Sequence, residues 1–196
     1  MPTDHELLAA WRAGDGAAGN ALVQRHYAGV YRFFRGKFGD ACEELAQRTF
    51  MAFTRSRDRI DERGSVKAYL FGIARHELIA HFREQRRAQE RIDPMERSIA
   101  DLGGGAPSQM FAAQQERERL AAAMRQIPID LQIVLELFYW EEMRVADIAR
   151  VLACPEGTVK SRLFRARELV RARLSPATSE STLHSLGAAD RLQRLR

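Results

Sequence analysis

Apolar residues along this chain recur at intervals of three and four, and runs that alternate apolar with polar are missing. That pattern predicts helices throughout and no sheet. Thr3-Asp4-His5-Glu6 has the form of a capping box and opens a short helix through Leu7, Leu8 and Trp11. Gly14-Asp15-Gly16 interrupts it. A second helix is predicted over about 16–34, with Leu22, Val23, His26, Tyr27, Val30, Phe33 and Phe34 on one face. A third, over about 40–56, buries Cys42, Leu45, Ala46, Thr49, Phe50 and Phe53. After the polar stretch RSRDRIDERGS, Ser65 is placed to cap a long fourth helix. Its stripe is Val66, Tyr69, Leu70, Ile73, Ala74, Leu78 and Phe82, and it runs out in the basic FREQRRAQER.

Periodicity stops after Arg91. IDPMERSIADLGGGAPSQ, with three consecutive glycines and two prolines, reads as a flexible linker and a domain boundary. Periodicity then resumes in a helix over about 109–126, ended by Pro128, and another over about 130–140. A short helix over 146–152 and a longer one over about 155–174 follow. The expected organisation is all-α: two small helical domains joined by a flexible linker. They cover residues 1–91 and 109–174, with the linker at 92–108 and a tail of unassigned role at 175–196.

Composition narrows the classes. With 196 residues and 45% hydrophobic content, the chain can build packed cores. Its net charge of +5 and pI near 9.7 suit a polyanionic partner, nucleic acid or an anionic membrane surface. No apolar run approaches the roughly 18 residues that span a bilayer, and the acidic N-terminus is unlike a signal peptide. No membrane insertion and a cytoplasmic location are therefore expected. Cys42 and Cys154 stand far apart and form no CxxC, which fits reduced packing residues better than a disulfide or metal site. No metal-ligand cluster, phosphate-binding glycine loop or nucleophile elbow is present, so neither a catalytic residue nor a cofactor is expected.

The last two helices have the outline of a helix-turn-helix. Pro155 is expected at the first position of the second of them, where its missing N–H costs nothing. Val159, Leu163, Ala166 and Val170 form an inner stripe, expected to pack on Ile148, Ala149 and Leu152. Glu156, Thr158, Lys160, Ser161, Arg162 and Arg165 face outward, and Gly157 leaves the backbone bare. Charge alone would make this a basic solvated face; the short helix and proline-marked turn before it favour a helix that enters the major groove.

The fourth helix interleaves Tyr69, Phe71 and Phe82 with Arg75, His76, Arg83, Arg86, Arg87 and Arg91. Bases stack on aromatics while phosphates are neutralised, so such a surface suits single-stranded nucleic acid. Taken singly, each aromatic fits a core position better. On the third helix, Glu43, Glu44 and Gln47 lie beside the apolar stripe, which suits a protein partner or plain solvent exposure.

Two stretches together resemble a known family. CEELAQRTFMAF with VKAYLFGIARHELIAHFREQRR resembles region two of an extracytoplasmic-function sigma factor, of the sigma-70 family, of bacterial RNA polymerase. IPIDLQIVLELFYWEEMRVADIARVLACPEGTVKSRLFRARELVRARL resembles its region four. The resemblance implies a factor that binds core RNA polymerase, through the β′ coiled coil and the β flap, and directs it to promoter DNA. It implies polymerase contacts at Glu43, Glu44, Gln47 and Phe50. The 58–64 loop and the following helix would capture the unpaired strand of the −10 element, using Arg63, Lys67, Tyr69, Arg75, His76, Arg83, Arg86 and Arg87. Glu156, Gly157, Thr158, Lys160, Ser161, Arg162 and Arg165 would read the −35 element. An anti-sigma partner is usual for the family, as is association with the nucleoid when active. Four positions depart from the pattern: Arg48 stands where an acidic residue is usual, His76 where asparagine is, Ala80 where aspartate is, and Arg144 at a cap. Arg144 replaces the usual serine or threonine cap of the short helix, at an expected cost of roughly 1 kcal/mol. The alternative is a stand-alone helix-turn-helix regulator, whose N-terminal half would carry a ligand pocket or a receiver domain.

Overall fold

A computed structural model describes residues 1–61, 64–88 and 112–174. The expected linker 92–108 and tail 175–196, and Arg63, lie outside the described residues. All regular elements among the described residues are helical. They are α1 (Asp4–Arg12), α2 (Gly16–Phe38), α3 (Cys42–Arg55), α4 (Val66–Ala88), α5 (Ala112–Arg125), α6 (Ile129–Leu135), α7 (Val145–Leu152) and α8 (Glu156–Arg173). The chain forms two compact units: α1–α4 belong to the first, and α5, α6 and α8 to the second. Residues 146–154, which hold most of α7 and the turn after it, group with the first unit.

In the first unit α2 packs between α1 and α3, and α3 packs on α4. Its core is built from Leu8, Leu22, Val30, Phe34, Leu45, Phe53, Leu70, Phe71 and Leu78, all but closed to solvent. Burying each such side chain contributes roughly 1.5–3 kcal/mol. Close approach of α1 to α2 depends on Gly19: a Cβ there would lie 2.5 Å from the indole nitrogen of Trp11. Trp11 is buried and set against Phe53 at 5.8 Å, so it has no easy way to yield.

The N-terminus is fastened as its sequence suggests. Thr3 caps α1, with its hydroxyl accepting from the Glu6 N–H and the Glu6 carboxylate accepting from the Thr3 N–H. Asp4 then reaches α2, accepting from Arg25 at 2.6 Å and meeting His26 Nε2 at 2.8 Å. Burial works against the Asp4 carboxylate, but the hydrogen bonds and charges of His26 and Arg25 outweigh it and hold its pKa at about 2. The folded carboxyl therefore keeps its charge further into acid than the unfolded one. Its contribution is complete above the ordinary value of 3.8 and is lost as pH falls toward 2. Replacing Asp4 by Asn is expected to cost about 1 kcal/mol at neutral pH, after allowance for solvent screening. Denaturant titrations at stepped pH should show that gap close between the two values.

Three boundaries differ from expectation. The second helix continues past 34 to Phe38, whose ring lies edge-on to His81 and tilted against Phe82 of α4. Lys37 is buried there, with its ammonium donating to the Phe33 carbonyl at 2.6 Å and lying over the Phe33 ring. Gly39, at φ +51°, stops the helix. Tyr27, expected on the buried face, is 43% exposed and stacked on Phe50 and Tyr31.

The helix expected over 130–140 is α-helical only to Leu135 and then widens into a π-helical turn, Glu136–Trp140. There Leu137, Phe138 and Tyr139 are all buried, continuing the buried run Leu131, Gln132, Ile133, Val134 and Leu135 of α6. The Tyr139 hydroxyl is buried without a hydrogen-bond partner among the described residues, and burial pushes its pKa up. In the second unit α6 packs on α8, and α5 touches both.

Between α7 and α8 the chain closes a Schellman turn. Cys154 N–H donates to the Ala149 carbonyl at 3.1 Å and Ala153 N–H to that of Arg150 at 3.3 Å. Ala153 takes the left-handed conformation, φ +51°, that glycine would adopt without strain. Pro155 is the N-cap of α8, one place earlier than expected: its ψ of 150° is extended, while its carbonyl already accepts from Thr158 and Val159. At the start of α7, Asp147 occupies the third helical position and is buried, so its charge lies near the positive end of the helix. Its carboxylate also accepts from Arg150 at 2.9 Å.

Candidate nucleic-acid and polymerase interfaces

On α8, Val159, Leu163, Ala166 and Val170 are buried as the stripe requires, and Ile148, Ala149 and Leu152 of α7 are buried too. The outward face begins with Glu156, Gly157, Lys160, Ser161 and Arg165, all exposed, with Thr158 and Arg162 half-buried. Nothing lies within 4 Å of the position a Gly157 Cβ would take, so packing leaves that stretch of backbone open to approach. Ser161 donates its hydroxyl to the Thr158 carbonyl at 2.9 Å, leaving its oxygen lone pairs outward. Arg162 is drawn toward α6, with Nε 3.5 Å from an Asp130 carboxylate oxygen. Thr158, Ser161, Arg162 and Arg165 share an open groove with Pro128, Asp130 and Leu131. Farther along, Arg167 and Arg173 donate to carbonyls of their own helix and Arg171 pairs with Glu168. Lys160 and Arg165 have no ion-pair partner among the described residues, so these unengaged cations lie ahead of the Arg167–Arg173 stretch of α8.

Phe164 was missed by sequence reasoning. Its ring is 62% exposed, between Leu163 and Arg165. The available signal was negative: Phe164 lies off the buried stripe, so a bulky apolar group had no core to enter.

On α4, Tyr69, His76, Arg83 and Arg87 recur at spacings of seven and four and so share one face. They extend over about 27 Å of helix. His76, Arg83, Arg86 and Arg87 are exposed, while Tyr69, Lys67 and Arg75 are half-buried. Phe71 and Phe82 do not join them. Both are buried, Phe71 edge-on to Phe33 and Phe82 beside Phe38, so Tyr69 is the aromatic of the three that retains open surface. The loop before α4 is anchored by a contact absent from the sequence pattern: Arg12 of α1 donates to the carbonyls of Arg57 and Ile60.

On α3, Glu43, Glu44 and Gln47 are exposed. Glu43 and Gln47 border an open groove with Val23 and Tyr27 of α2 and Phe50, Met51, Thr54 and Arg55 of α3. Phe50 is mostly buried and offers only an edge; Tyr27 and Met51 supply the apolar exposure. Glu44 is held by Arg48 at 2.6 Å, and Arg48 also comes within 3.7 Å of Glu84 on α4. The unusual arginine thus joins two helices and takes up the charge of one of the two acidic candidates. Among the described residues there is no group of three or more ligating side chains that could hold a metal, and no helix long and apolar enough to cross a membrane.

Residues 22–88 match the model of Sigma-70 region 2, and residues 117–170 match that of Sigma-70, region 4. The two regions stand in order in one chain and between them take in all the faces described above. The protein belongs to the sigma-70 family. Similar curated proteins place it with the extracytoplasmic-function group. The ECF RNA polymerase sigma-E factors of Salmonella typhimurium and of Escherichia coli K12 are each 26% identical to this sigma factor over 185 residues. That alignment covers 89% of this chain and 95% of each relative. The fold recurs in CnrH, solved with the cytosolic domain of CnrY, at 23% identity and a TM-score of 0.63, over 86% of this chain and 95% of the other. It recurs also in RpoE from Bartonella quintana, solved with the anti-sigma factor NepR, at 21% identity and a TM-score of 0.64, over 79% and 94%. The region 4 match takes α7 and α8 together, as a helix-turn-helix reading requires.

Proposed function

We propose that this sigma factor joins core RNA polymerase through the α2–α3 groove, holds the melted −10 strand along α4 and the loop before it, and reads the −35 duplex with α8. The observation that carries this reading is the presence of regions 2 and 4 in one chain; a stand-alone regulator would have no use for region 2. The polymerase supplies the bond-making chemistry. In the groove, Tyr27, Met51 and the edge of Phe50 offer apolar anchors, with Glu43 and Gln47 at the rim. This arrangement, an aromatic and a methionine surrounded by polar groups, suits a helical partner such as the β′ coiled coil. Region 4 would contact the β flap. Along α4, Arg83, Arg86, Arg87 and His76 neutralise phosphates while Tyr69 offers a stacking surface, with Arg75 and Lys67 at its flank. On α8, Lys160, Arg162 and Arg165 supply the bidentate or charged contacts, and Thr158, Ser161 and Glu156 supply hydrogen bonds. Gly157 permits close backbone approach, and Phe164 offers an apolar ring to thymine methyl groups. The domain limits 1–91 and 109–174, with 92–108 as tether, belong to the same proposal.

The solved relatives named above were captured with CnrY and with the anti-sigma factor NepR. By that precedent this sigma factor would also have a protein partner that covers these faces and keeps it inactive. It would act in the cytoplasm, at the nucleoid. Run-off transcription with purified core polymerase and a pool of random upstream sequences tests the whole reading. Defined start sites, each preceded by two short elements at constant spacing, are expected; failure to join core polymerase, or to start anywhere, refutes it.

A further inference from the structure

The loop between α3 and α4 is held from one side by the last residue of the first helix. Arg12 donates through Nε and Nη2 to the Arg57 carbonyl, at 3.1 and 2.8 Å, and through the same Nη2 to the Ile60 carbonyl at 2.5 Å. The Arg57 carbonyl opens a short 3₁₀ turn, Arg57–Arg59, and also accepts from the Ile60 N–H at 3.4 Å, while Ile60 follows the turn directly. One guanidinium thus reaches a carbonyl at each end of the turn. One further tie joins the same segments, Arg57 lying over the Trp11 ring at 5.5 Å, and the Ile60 side chain is itself buried. On the far side Gly64 N–H donates to the Asp61 carbonyl at 3.0 Å, and the Ser65 hydroxyl caps α4 by accepting from Ala68 at 3.1 Å. Asp58, Arg59 and Asp61 are exposed between these anchored feet.

We propose that Arg12 is a positioning residue for single-strand capture: its fork sets the path of residues 57–60 and so aims Asp58, Arg59 and Asp61 at the unpaired −10 strand. The inference rests on the reading of this loop as part of the strand-capturing surface, and it assigns α1 a part in promoter melting. Arg12 itself is committed to backbone oxygens and need not touch DNA. A lysine in its place keeps the charge but not the function, because one ammonium on a flexible stem does not replace a planar fork set on two carbonyls three residues apart.

The test uses full-length protein, free and joined to core polymerase. Its probe is a single-stranded oligonucleotide selected by the wild-type holoenzyme from a random-sequence pool, carrying 2-aminopurine at successive positions. Arg12→Ala and Arg12→Lys are each expected to lose about tenfold in affinity for this strand and to shift the 2-aminopurine signal. Affinities for core polymerase and for the upstream duplex should stay within about twofold of wild type. Asp61→Ala is the control on the loop itself. If Asp61→Ala weakens strand binding while both Arg12 variants match wild type, Arg12 has no positioning role. If neither position matters but Arg83→Ala with Arg87→Ala does, the loop reading itself fails. Parallel loss of all three affinities in Arg12→Lys, with a lowered thermal midpoint, would make Arg12 a general clamp of the fold and overturn the proposal.

Discussion

Changing Arg162 and Arg165 together to alanine is expected to weaken binding of the upstream duplex by two to three orders of magnitude, roughly 3–4 kcal/mol, and to leave core-polymerase affinity unchanged. The two side chains lie on the outward face of α8 and share one groove. Neither contributes to the buried stripe of Val159, Leu163, Ala166 and Val170, and alanine is the better helix former, so the fold should survive. Removing Arg162 also leaves the Asp130 carboxylate, now 3.5 Å from its Nε, in the proposed DNA groove without that cation. The loss should therefore exceed that of two simple phosphate contacts. Fluorescence anisotropy with the duplex over a salt series should show the logarithmic slope fall by about two as two cations are removed. Equal losses in duplex and core binding would mean that α8 had been misassigned or had unfolded.

The converse result is expected from the α2–α3 groove. Glu43→Arg combined with Met51→Ala should lower core-polymerase affinity by roughly a hundredfold while duplex affinity holds. The substitution removes an exposed apolar anchor and reverses the rim charge that Arg48 does not already engage. Glu44 is a poorer target. It is paired with Arg48 four residues on, and reversing it would set two arginines against each other within the helix. Competition for core polymerase against a labelled wild-type copy gives the measurement. An unchanged competition curve would remove this groove from the docking surface.

How much of this was legible in the chain depended on how local the cause was. Helix positions followed from apolar spacing, and the Thr3–Glu6 capping box and Ser65 cap were readable because each needs only a few neighbouring residues. Faces were harder. Tyr27 sits in phase with the buried stripe of α2 and yet stacks outward on Phe50, a choice made by a ring on another helix. Phe71, interleaved with arginines yet singly better suited to a core, does pack in the core, edge-on to Phe33. The position of Pro155 turned on one ψ angle, to which the fixed proline ring is indifferent. Long-range polar ties left no trace at all: Arg12 meets carbonyls 45 and 48 residues away, and backbone oxygens are the same in every sequence. The candidate DNA-contacting cations were readable because charged residues at helical spacing are a local pattern; Phe164 was passed over because it lies off the buried stripe and carries no charge.

The wide turn at Glu136–Trp140 has a consequence for how this sequence tolerates change in length. Its closing bond runs from Glu141 N–H to the Glu136 carbonyl, one residue farther than an α-helical bond spans, so the turn contains one surplus residue. Deleting one of the five would let the turn close with α-helical bonds, and because a wide turn takes up its extra residue within one revolution, the chain would leave the helix at nearly the same angle. The cost would be one fewer side chain in the buried run Leu137, Phe138 and Tyr139. A single-residue deletion here should therefore be milder than one inside α8, where no residue is surplus and every later side chain would turn about 100° around the axis.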